Sequence, residues 1–154
     1  MRELLLLRHA KSTWDDPSLT DHQRPLNARG RDAAPLMGEL LRDEALIPDL
    51  ILSSDSARTR ETVMLLKEPM EYSGETLFLS ELYHASPATI FAVLQQHAHA
   101  TRILVVAHNP GLQELVSSLS GVMTPFPTAA LASFSHNEEG FTLKGLWRPK
   151  ELLD

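Results

Sequence analysis

Three short segments of this chain carry side chains that together could handle an anion. Arg8 and His9 follow the apolar run Leu4 to Leu7, Ser54 to Arg58 follow Leu50 to Leu52, and His108 and Asn109 follow Ile103 to Ala107. Guanidinium groups grip phosphoryl oxygens bidentately and do not lose their charge. A neutral imidazole is a nucleophile, and a protonated one stabilises negative charge. Taken singly, a histidine after a strand is more often a capping or surface residue than a nucleophile, His108 could cap the Asn109-Pro110 helix by packing alone, and Arg58 could be a solvated helix residue paired with a glutamate such as Glu61.

The case for a shared site rests on the elements that position them. Leu4 to Leu7 and Ile103 to Ala107 are continuous apolar runs of strand length, the pattern of strands buried on both faces of a parallel sheet. Leu50 to Leu52 is a third strand, residues 76 to 80 a weaker one, and residues 130 to 135 and 141 to 147 flank the turn-like Asn137 to Gly140 as a hairpin or edge pair.

Helical patterns lie between the strands. Asn27 caps a helix carrying Leu36, Met37, Leu40 and Leu41, in which Pro35 marks a kink or a late start. Ser54 or Asp55 caps a helix reaching about Lys67. Ser86-Pro87 and Asn109-Pro110 each place a capping residue before proline at the first helical position, and Gly121 stops the last helix.

This alternation predicts an α/β three-layer sandwich, a mostly parallel central sheet with helices on both faces. All three segments then lie at the carboxyl edge, where such sheets bind ligands. Helix N-termini there add free N–H groups and partial positive charge. Two arginines, two histidines and helix starts describe a phosphate site. The stretch from residue 10 to 26 is long for a strand-to-helix connection, and loops of that length are often functional.

Composition narrows the classes. The 154 residues, 43% hydrophobic, are expected to form one domain over 1–154. A net charge of -6 argues against a partner that is nucleic acid or an anionic membrane, so an anionic substrate must meet a local cationic pocket. Ten of the fourteen basic residues are arginine, the side chain best suited to such a pocket. No cysteine is present, which removes disulfides and thiol nucleophiles and suits a reducing cytosol. The leucines after Met1-Arg2-Glu3 are too few for a signal peptide or membrane span, so a cytoplasmic protein is expected. No metal or cofactor is expected. His84, His97, His99 and His136 show no pattern that separates them from surface or packing histidines.

Arg8-His9-Ala10-Lys11-Ser12-Thr13-Trp14 resembles the Arg-His-Gly signature of the histidine phosphatase superfamily, which includes cofactor-dependent phosphoglycerate mutases. Ser54 to Thr62 is similar to its second motif, Ser-x-x-x-Arg-x-x-x-Thr, and His108 to its second histidine. The short length, Arg24-Pro25-Leu26-Asn27-x-Arg29-Gly30 and Glu81-Leu82-Tyr83 resemble the small SixA-type branch, the bacterial phosphohistidine phosphatases. Two departures stand out: Ala10 replaces the usual glycine, and Asp15 stands where many mutase-type members carry asparagine, placing a negative charge near the pocket rim.

The resemblance implies that neutral His9 attacks phosphorus in line, forms a phosphohistidine intermediate and is freed by water. Arg8, Arg58 and protonated His108 would hold the phosphoryl oxygens, with Arg24 a further contact. Glu81 is the candidate proton donor to the leaving group. The implied substrate is phosphohistidine on a protein, such as a histidine-containing phosphotransfer domain. The alternatives are a small-molecule phosphomonoesterase on the same scaffold and a non-catalytic phosphate-binding module. A phosphoramidate loses its imidazole more readily than an ester loses an alkoxide, so an uncertain acid favours phosphohistidine.

Overall fold

A computed structural model describes residues 1–149 of the chain. Six strands form one sheet: β1 (Glu3–Arg8), β2 (Leu50–Ser54), β3 (Glu75–Leu79), β4 (Arg102–Ala107), β5 (Leu131–Asn137) and β6 (Gly140–Trp147). Their order across the sheet is β3-β2-β4-β1-β5-β6. The first four run parallel, β5 is antiparallel to β1, and β6 is antiparallel to β5. The expected hairpin is present, but β5 pairs with the central β1 and only β6 is at the edge.

Among the described residues the helices α1 (Ala28–Asp43), α2 (Ala57–Met70), α3 (Pro87–Gln96) and α4 (Gly111–Ser120) complete the layers. Because side chains alternate along a strand, the leucines of β1 divide between two cores. Leu4 and Leu6 pack with Ile90, Leu94, Leu112 and Val116 of α3 and α4. Leu5 and Leu7 pack with Met37, Leu41, Val63 and Leu66 of α1 and α2. The result is the α/β three-layer sandwich with helices on both faces. Among the described residues no helix is long and apolar enough to cross a membrane.

Several helix boundaries differ from those expected. The helix capped by Asn27, whose side chain accepts from the Gly30 N–H, starts at Ala28 and runs through Pro35 rather than beginning near it. Packing of α1 on the sheet outweighs the loss of one backbone donor. Ser56, not Ser54 or Asp55, caps α2, because Ser54 is still in β2 and its hydroxyl is used elsewhere; the helix continues past Lys67 to Met70. The last helix begins at Gly111, after a cis Asn109-Pro110 peptide, rather than at Pro110. Asn109 instead donates to the Phe126 carbonyl and accepts from the Gln113 N–H.

Two close backbone approaches fix the loops around the carboxyl edge. A Cβ on Gly30 would lie 2.2 Å from the Lys11 carbonyl oxygen, so only glycine lets the first loop lie against α1. A Cβ on Gly111 would lie 1.9 Å from the Ala85 carbonyl oxygen, so the chain after Tyr83 and His84 docks directly on the start of α4.

Candidate active site

The three segments meet, as the topology requires, at one cavity of about 310 Å³. Arg8 and His9 reach it from the end of β1, Arg58 from the first turn of α2, and His108 from the end of β4. Arg24 joins them from the loop between β1 and α1, which a bridge between Ser12 and Leu26 folds back on itself. His9, Arg24, Arg58 and His108 are each less than one-tenth exposed.

The hydrogen bonds assign a tautomer to His9. Its Nδ1 donates to the Ala10 carbonyl at 2.7 Å, and its Nε2 accepts from Arg58 Nε at 3.3 Å. The proton therefore sits on Nδ1, and the Nε2 lone pair faces the cavity's guanidinium. Burial pushes the His9 pKa down to about 3; the Ala10 hydrogen bond opposes the shift, and Arg58, Arg8 and Arg24 add to it. His9 is neutral at physiological pH, as a nucleophile must be.

His108 lies beside it, ring centroids 5.2 Å apart. Its Nε2 pairs with Ser54 Oγ at 2.8 Å and its Nδ1 with Arg58 Nη2 at 3.4 Å. An arginine can only donate, so Nδ1 is the acceptor and Nε2 carries the hydrogen. Burial, and then electrostatic coupling to the neighbouring His9, Arg58 and His84, push the His108 pKa down to about 2. The free site thus holds a neutral His108, and a phosphoryl dianion would supply the counter-charge for a second proton at Nδ1.

Arg8 is half-buried, with Nη1 donating to the Phe126 carbonyl at 3.4 Å. Its buried Nε has no hydrogen-bond partner among the described residues, a donor left available at the cavity wall. Arg24 is held by the Thr13 carbonyl, Ser12 Oγ and Asp21, with its guanidinium carbon 3.2 Å from the centre of the exposed Trp14 ring. Lys11 adds a fourth cation to the lining.

Two wall residues were not anticipated from sequence. Among the described residues Asp21 is the one carboxylate lining the cavity; its Oδ1 accepts from Arg24 at 2.7 Å and its Oδ2 from Arg58 at 3.0 Å, from His84 at 2.9 Å and from Tyr83. Burial raises its pKa, but hydrogen bonds from Tyr83, His84, Arg58 and Arg24 outweigh it and hold the carboxyl well below the usual range. His84 also lines the cavity, its ring 4.7 Å from that of His108. The only sequence sign of Asp21 is its spacing three residues before Arg24, and none marks His84.

Two expectations are not met by the geometry. Glu81 is exposed, outside the cavity lining, and its carboxylate accepts from the neighbouring Ser80 hydroxyl. It lies in a 3-10 turn, Ser80–Leu82, that carries Tyr83 and His84 towards the cavity and Glu81 away from it. Asp15 is likewise exposed and outside the lining; the negative charge at the rim is that of Asp21. Glu61, the plain partner for Arg58, instead accepts from Arg31 and the Leu26 N–H.

The buried histidines have a measurable cost in acid. A histidine whose folded pKa lies below the unfolded value near 6.5 takes its proton more readily when unfolded. Its contribution is therefore complete above about pH 6.5 and is lost as pH falls towards 3 for His9 and 2 for His108. The slope approaches about 1.4 kcal/mol per pH unit for each histidine. Urea midpoints should fall steadily between pH 6.5 and 4, and less steeply in His108→Asn; parallel profiles would contradict the neutral, buried state of His108.

Comparison with known proteins decides the family. The model of the histidine phosphatase superfamily (branch 1) matches residues 4–84, from β1 through His84. The chain belongs to the histidine phosphatase superfamily. Within it the chain is similar to SixA proteins. It is 26% identical to phosphohistidine phosphatase SixA of Escherichia coli, over 90% of this chain and 88% of that protein. A crystal structure assigned as a phosphohistidine phosphatase SixA from Agrobacterium tumefaciens superposes with a TM-score of 0.88 at 28% identity, covering 96% of this chain and 98% of that one. An uncharacterised chloroplastic protein of Arabidopsis thaliana is 35% identical over 94% of this chain and 72% of its own length.

Proposed function

We propose that the protein is a phosphatase that takes a phosphoryl group onto Nε2 of His9, passes it to water, and uses phosphohistidine on a protein as substrate. The observation that carries this reading is the orientation of His9: Nδ1–H is tied to the Ala10 carbonyl, and the Nε2 lone pair faces Arg58 in a cationic cavity. A binding module needs the cations but not an imidazole held neutral with its lone pair inward.

Attack by Nε2 forms the N–P bond as the bond to the leaving group breaks. Arg8, Arg58 and, once protonated, His108 hold the phosphoryl oxygens as charge redistributes, and Arg24 makes a further contact. Water then attacks phosphorus, and the electron pair of the N–P bond returns to Nε2. Two features favour phosphohistidine on a protein: the likeness to SixA, and a cavity whose lining includes the exposed side chains of Lys11 and Trp14.

The test compares kcat/KM for a phosphohistidine-bearing carrier protein with that for a panel of sugar, nucleotide and alkyl phosphates. The carrier protein should be the best substrate. Faster turnover of an alkyl phosphate would transfer the assignment to a small-molecule phosphomonoesterase, and absence of an acid-labile phosphoenzyme with every donor would leave a binding module.

A further inference from the structure

A third histidine, His84, lines the cavity at its solvent-exposed side. His84 Nε2 lies 2.9 Å from Asp21 Oδ2, so its N–H donates to the carboxylate, and Arg58 Nη2 at 3.4 Å is the weaker neighbour. Its Nδ1 has no hydrogen-bond partner among the described residues. The Tyr83 and His108 rings flank it at 4.4 and 4.7 Å. Its backbone has a φ of 50°, the left-handed region that a histidine enters at some cost, and non-glycine residues held there cluster at functional sites. The Arg58 guanidinium lies 3.3 Å from Nε2 of His9 and 3.4 Å from Nε2 of His84, so both rings border the same cation.

We propose that His84, oriented by Asp21, is the acid-base residue of the reaction at His9: it protonates the leaving group in the first step and accepts the proton of the attacking water in the second. The inference rests on the phosphohistidine intermediate proposed above. In the first step the electron pair of the bond between phosphorus and the leaving atom goes to that atom, which takes the proton of the His84 imidazolium at Nδ1. Neutral His84 then removes a proton from water as oxygen bonds to phosphorus and the His9 N–P bond breaks. This restores the imidazolium and releases phosphate. Asp21 keeps Nε2 protonated throughout and so confines the transferable proton to Nδ1. The arrangement follows the general pattern of a base oriented by a third group. It places the proton donor three residues after Glu81 and widens the accessible substrates to phosphates whose leaving groups cannot depart unprotonated.

The test is a leaving-group series. Dinitrophenyl phosphate needs no proton to depart, whereas phenyl phosphate does. His84→Asn is the variant of choice, because asparagine tolerates the left-handed backbone and its amide can still donate to Asp21, yet it does not titrate. It should phosphorylate His9 from dinitrophenyl phosphate at close to the wild-type rate, but turn over phenyl phosphate about 10²-fold more slowly, the usual contribution of a general acid. With dinitrophenyl phosphate the variant should also show a burst of dinitrophenol and accumulate phosphohistidine, since water attack has lost its base. An equal loss in the rate of His9 phosphorylation by the two esters, or no loss in that rate with either, overturns the assignment of His84. If the wild type itself forms no phosphohistidine at His9, the reading of the reaction fails, and this one with it.

Discussion

His9→Asn should form no acid-labile phosphoenzyme and should lose at least about 10⁴-fold in kcat, as enzymes do when the nucleophile of a covalent mechanism is removed. Asparagine keeps a polar side chain that can donate to the Ala10 carbonyl, so the pocket should stay intact. It has no basic lone pair to offer to phosphorus. The separation of roles is what makes the experiment informative: Arg8, Arg24, Arg58 and His108 are all still in place, so inorganic phosphate should continue to bind. Stoichiometric labelling of the wild type by a reactive phosphoryl donor, with none in the variant and phosphate affinity preserved, is the expected pattern. Labelling of the variant at the wild-type level would remove His9 as the acceptor.

Arg58→Ala should be nearly as damaging, but by a different route. The guanidinium donates from Nε to His9 Nε2, and from Nη1 and Nη2 to the backbone carbonyl and carboxylate of Asp21, and it lies 3.4 Å from both His84 and His108. It is 3% exposed, so little water competes with it. Loss of one donor to a developing oxyanion costs about 10²–10³ in rate. Arg58→Ala should reach the upper part of that range while still forming some phosphohistidine at His9. Arg58→Lys should recover little, because an ammonium cannot reproduce a fork that meets His9 and Asp21 at once. If lysine restored full activity, charge alone would matter and the fork geometry would not.

The fold was legible because β1 and β4 are uninterrupted apolar runs and a parallel strand buried on both faces leaves no other signature. His9, Arg58 and His108 were legible for a related reason: each stands within a few residues of a strand's carboxyl end, so topology alone brings them together. Asp21, Tyr83 and His84 were not, because they sit in irregular segments whose direction is set by tertiary contacts, such as the fit of Gly111 against the Ala85 carbonyl. Glu81 failed for the same reason in reverse. Sequence order placed an acid near the site, but a single 3-10 turn decided which of Glu81 and His84 points inward. Pro35 and Ser56 belong to a smaller class, where packing and capping geometry shifted a boundary without altering the layer.

Asp21 has a bearing on how the site lets go. Its carboxylate already engages Arg24 and Arg58, so an arriving anion gains only the difference between its own contacts and those it displaces. The same carboxylate is at hand to reclaim both guanidinium groups when free phosphate forms. A cavity of four unopposed cations would hold inorganic phosphate more tightly than one in which a carboxylate already engages two of them.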